Sequence, residues 1–125
     1  MHVGYAFMLE DEDGADEHLH IVLTTPTASG EVVTVSISTR KPKSESLVVL
    51  HKGDHPFIRH ESTCLYHFSR IRSCTAIQDA VSKGLARQKH DASPELVKKL
   101  CAGLMESEFV PRGIRAFYKE IAGGA

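Results

Sequence analysis

The sequence predicts a mainly β, α+β fold: a small twisted antiparallel β-barrel over residues 4–72, followed by two or three C-terminal α-helices over residues 75–122. Three observations predict it. Five short strand-like segments fall within about 65 residues, the turns between them are too short for crossover helices, and the apolar period changes from two to helical near Ser73. At 125 residues the chain suits one domain with a core of its own, 1–125.

Phe7-Met8-Leu9 closes a short first strand, and Glu10 to Glu17, with six carboxylates in eight residues, reads as an exposed loop. Leu19, Ile21 and Leu23 alternate with His20, Val22 and Thr24 until Pro26, and Thr27-Ala28-Ser29-Gly30 reads as a turn. Val33, Val35 and Ile37 alternate with Thr34, Ser36 and Ser38, the clearest period-two segment, which Pro42 stops. Leu47-Val48-Val49-Leu50 is a continuous apolar run. Thr63, Leu65 and His67 alternate with Cys64, Tyr66 and Phe68 in the fifth strand.

Beyond Ser73, Thr75-x-x-Gln78 forms a capping box for a first helix carrying Ala76, Ile77, Ala80, Val81, Gly84 and Leu85 at helical spacing. Arg87 to Asp91 reads as a linker. Ser93-Pro94 is an N-cap with proline at the first helical position, and Leu96, Val97, Leu100, Cys101, Leu104 and Met105 lay one stripe along a second helix. Pro111 restarts the chain before Ile114, Phe117, Tyr118 and Ile121.

Composition narrows the function classes. Cys64, Cys74 and Cys101 are an odd, widely spaced set without a C-x-x-C pair, as expected of reduced thiols in a cytoplasmic protein. No apolar run approaches the ~18 residues of a membrane span, and no membrane partner is expected. The net charge of −1 conceals an asymmetry: residues 1–39 hold seven acidic side chains and no Lys or Arg, whereas residues 40–72 hold seven basic against three acidic. That basic middle suits a phosphate backbone without the domain-wide basic character of a dedicated nucleic-acid binder.

The chemistry is concentrated in Leu50 to Ser62, where His51, His55, His60, Asp54 and Ser62 stand between two apolar runs. Gly53 permits positive φ and Pro56 fixes its own, so this is a shaped loop of the kind that carries binding and catalytic groups. His51, Asp54, His55 and His60 have the composition of a metal set for a hydrolase. Gly53 and Pro56, however, exclude the helical turn that an H-x3-H pair uses, so no metal or other cofactor is expected. Metal-free RNA cleavage needs a base for the 2′-hydroxyl, an acid for the leaving oxygen and a cation for the phosphorane-like charge. Histidine with arginine or lysine meets those needs.

The order of a short first strand, a polar loop, His20-Ile21-Val22-Leu23-Thr24, a turn, Val32 to Thr39 and the later strand Thr63 to His67 resembles the PemK/MazF-like family of small-barrel toxins from toxin–antitoxin modules. The segment Gly53-Asp54-His55-Pro56-Phe57-Ile58-x-His60-x-Ser62 is similar to a subgroup of uncharacterised PemK-like sequences. The resemblance covers residues 4–75. It implies a homodimeric barrel of the PemK/MazF/CcdB-like type that cleaves single-stranded RNA and is controlled by an antitoxin protein lying across the RNA groove. Ser38-Thr39 falls where that family carries a Ser/Thr acting on the scissile phosphate. The family's catalytic Arg-Pro has no counterpart, since His18-Leu19-His20 stands there. The expected catalytic set is therefore His20, Thr39, His55 and His60, with His20 and His55 as the acid–base pair, and Arg40, Lys52, Arg59 and Ser62 as substrate-binding residues. The alternatives are a non-catalytic barrel that binds protein or nucleic acid through the same face, and the metal-dependent hydrolase.

Overall fold

The computed structural model describes residues 1–10 and 17–123. Six strands, β1 (Ala6–Glu10), β2 (Glu17–Val22), β3 (Glu31–Thr39), β4 (Val49–Leu50), β5 (Ser62–Ser73) and β6 (Ala86–Lys89), form one antiparallel sheet in the order β4-β5-β3-β2-β1-β6. The sheet curls into a half-barrel, with β4 and β6 as its edges. Three helices, α1 (Cys74–Ser82), α2 (Pro94–Glu106) and α3 (Ile114–Gly123), complete an α+β, mainly β architecture.

Period two divides the side chains between two cores. Ala6, Met8, Leu19, Ile21, Val33, Val35, Ile37, Cys64 and Tyr66 pack on one face beneath Leu96, Leu100 and Leu104 of α2 and Ile114 of α3. Burying each such aliphatic side chain contributes about 1.5–3 kcal/mol, so this face supplies most of the driving force. Tyr5, Phe7, Val22, Val32 and Ala86 pack on the other face with Ile77 of α1.

Helix α2 starts as its sequence predicts. The Ser93 hydroxyl accepts from the Leu96 N–H at 3.1 Å, and Pro94 opens the helix. The helix then comes very close to β5. A Cβ on Gly103 would lie 2.0 Å from Tyr66 Oη and 2.6 Å from Val48 Cγ2, so only glycine permits this approach. The Tyr66 hydroxyl uses it to donate to the Leu100 carbonyl at 2.9 Å.

The structure corrects several expectations. Arg87 to Asp91 is not simply a linker: Ala86–Lys89 is an edge strand whose charged, outward side chains hid it and whose pairing with β1 makes it. The 75–122 region is therefore not purely helical. The first helix is capped by Ser73, accepting from the Ala76 N–H at 3.3 Å, two residues before the expected cap at Thr75. Leu47 and Val48 precede β4 instead of belonging to it. Of the expected acidic loop, residues 11–16 lie outside the described residues, and its ends belong to strands in which Glu10 and Glu17 are register partners. No helix among the described residues is long and apolar enough to cross a membrane.

Candidate functional site

After β4 the chain closes a tight turn. The Asp54 carboxylate accepts from the His51 N–H at 2.8 Å, the Asp54 N–H donates to the His51 carbonyl at 3.0 Å, and Gly53 takes φ +103°. The next six residues divide between anchorage and display. His55 is buried, with Nδ1 accepting from the Phe57 N–H at 3.0 Å and Nε2 2.6 Å from the His90 carbonyl. A nitrogen that accepts carries no proton, so this bonding pattern assigns the proton to Nε2, which donates to His90. Ile58 enters the main core, and its N–H donates to the His55 carbonyl at 2.9 Å. Pro56, Phe57, Arg59 and His60 are left facing outward.

Of these, Phe57, Arg59 and His60 line a groove of about 540 Å³ at the end of β1, the start of β2 and the end of β3. Met8, Leu19, Ile37 and Ile58 give it an apolar lining; Ser38, Thr39 and Lys41 reach it from the end of β3, and Phe57, Arg59, His60 and Ser62 from the loop and the start of β5. Glu17 and His18 also line it. A second depression, of about 450 Å³, shares Ile58 and Arg59 with the first and adds Lys52, His55 and Pro56. Ser62 is buried and its hydroxyl donates to the His60 carbonyl at 2.8 Å, which fixes the backbone that carries the imidazole.

Thr39, Arg59, His60 and Ser62 are thus brought together, with Lys52 and His55 on the adjoining depression. Arg40 lines neither. Its guanidinium is ion-paired with Glu61, and its N–H donates to the Glu61 carbonyl at 2.9 Å. His20 lies on the opposite face of the sheet, buried and stacked on Phe7 with ring centroids 5.2 Å apart. Burial pushes its pKa down to about 3, helped by the positive charge of Arg72 and by His18, against a bond to the Leu9 backbone that favours the charged form. The expected acid–base pair of His20 and His55 is therefore not assembled: the two sit on different sides of the sheet, one neutral in the core and one with both nitrogens engaged.

Lys41 and Phe57 line the groove without having been expected there. The period of an extended chain could have found Lys41, because positions i and i+2 share a side and Thr39 was already named. Phe57 offered only the oddity of an aromatic side chain in a loop otherwise rich in histidine and charge. Among the described residues, no group of three or more His, Cys, Asp or Glu side chains is gathered to hold a metal ion, so His51, Asp54, His55 and His60 do not converge. No family model, curated protein or solved structure matches the chain.

Proposed function

We propose that the groove binds single-stranded RNA through its phosphates and cuts it without a metal, as the resemblance to PemK/MazF-like toxins implies. One observation carries this reading: Thr39, Lys41, Arg59 and His60, from two separate stretches of chain, line a single groove. Cations held beside an imidazole and hydroxyls suit a phosphodiester better than a neutral ligand. His60 is exposed, and neither its imidazole nor the side chains of Lys41, Lys52 and Arg59 have a partner among the described residues.

In the step proposed, the 2′-oxygen gives its proton to His60 as it attacks the adjacent phosphorus. The bond from phosphorus to the 5′-oxygen breaks, and that oxygen leaves with a proton from solvent. Lys41 and Arg59 offset the charge that builds on the phosphoryl oxygens, and Thr39 offers a hydroxyl donor. Ser62 acts as a positioning residue through the His60 carbonyl. An antitoxin peptide laid across this groove would compete with RNA.

The test is incubation of purified protein with single-stranded RNA in chelator. Products with 2′,3′-cyclic phosphate and 5′-hydroxyl ends are expected, and His60→Ala should slow their formation about 10²- to 10⁴-fold. A second reading, binding without cleavage, is favoured by the burial of His20 and the engagement of both His55 nitrogens. Retention of RNA with no new ends would select it.

A further inference from the structure

We propose, resting on the RNA reading above, that Phe57 is a base-stacking platform that makes the groove selective for a single strand with an unpaired base. Phe57 is 42% exposed, whereas His55, two residues before it, is 2% exposed and Ile58, the residue after it, 5%. The exposure does not come from a loose loop, because the Phe57 N–H is itself bonded to His55 Nδ1 and the His55 ring is tied to the His90 carbonyl. An aromatic ring on a backbone already fixed loses little conformational freedom when a flat ligand covers it.

The surroundings specify the ligand. The ring shares its groove with Lys41, Arg59 and His60, so anionic and planar surfaces would be met side by side, as they occur in a nucleotide. Lys89, at the end of edge strand β6, places its ammonium over one face of the ring, 5.0 Å from the centroid, a cation–π contact that adds positive charge there and leaves the other face for a base. Duplex bases already stack on one another and offer no free face at a flat site, whereas single-strand bases do.

Binding by fluorescence anisotropy to three labelled probes tests this: a short 2′-O-methyl oligoadenylate, which cannot be cut by its own 2′-hydroxyl, an abasic strand of equal length, and a duplex. Wild type should prefer the oligoadenylate to both others. Phe57→Ala should weaken oligoadenylate binding on the order of 10- to 100-fold, the usual loss for one stacked base, and leave the abasic strand within about twofold. The protein contains no tryptophan, so Phe57→Trp provides a single indole. That variant should keep its affinity and be quenched by oligoadenylate but not by the abasic strand. Undiminished oligoadenylate binding by Phe57→Ala, with loss in Arg59→Ala, would overturn the platform and leave the RNA groove standing. Failure of wild type to bind any probe would overturn both.

Discussion

Two histidines that look equivalent in the sequence have different work in the folded chain. His55 holds the loop through both ring nitrogens, so His55→Ala leaves the His90 carbonyl and the Phe57 N–H without their partner. Thermal unfolding should register a loss of about 1–3 kcal/mol. His60→Ala, at an exposed side chain, should leave stability within about 0.5 kcal/mol while reducing RNA cleavage. His20 gives a pH signature. Its folded pKa of about 3 lies below the ordinary 6.5, so between those values the unfolded chain binds a proton that the native one refuses. Its contribution is present above about pH 6.5 and is lost as pH falls towards 3, at up to about 1.4 kcal/mol per pH unit. Urea unfolding between these limits should show a shallower pH slope in His20→Phe than in wild type. Which histidine does which was not legible in the sequence, because the distinction rests on long-range partners such as His90, 35 residues from His55.

At the scale of elements, the sequence was most informative where one periodicity served one face. β3 and α2 were readable because Val33, Val35 and Ile37, and Leu96, Leu100 and Leu104, converge on the same core. Val35→Asp should abolish folding, since a carboxylate at this fully buried position would have no compensating partner; loss of the cooperative unfolding transition is the check. β6 was hidden because an edge strand with Arg87, Gln88 and Lys89 is defined by the strand it pairs with, not by its own pattern. The closeness of α2 to β5 was equally hidden, as Gly103 reads as a weak point inside a helix. Gly103→Ala should cost at least the ~1–3 kcal/mol of an overpacked core, measured by denaturant unfolding, because its methyl group would overlap the Tyr66 hydroxyl.

Across the whole molecule, a chain of net charge −1 keeps a set of cations at one end of a curled sheet. The basic middle of the sequence pointed to that end but did not show which cations face the groove. Arg40 is taken by Glu61, whereas Lys41, Lys52 and Arg59 line the two depressions. If these three hold phosphates, the affinity for single-stranded RNA must fall with salt in proportion to the contacts made. The most direct measurement is the binding constant of an uncleavable single-stranded RNA across a series of salt concentrations. A log–log slope of about −2 is expected for three phosphate contacts, becoming shallower by about 0.7 in Arg59→Ala. An affinity indifferent to salt, or a slope that Lys41→Ala, Lys52→Ala and Arg59→Ala all leave unchanged, would contradict the assignment of this groove to RNA.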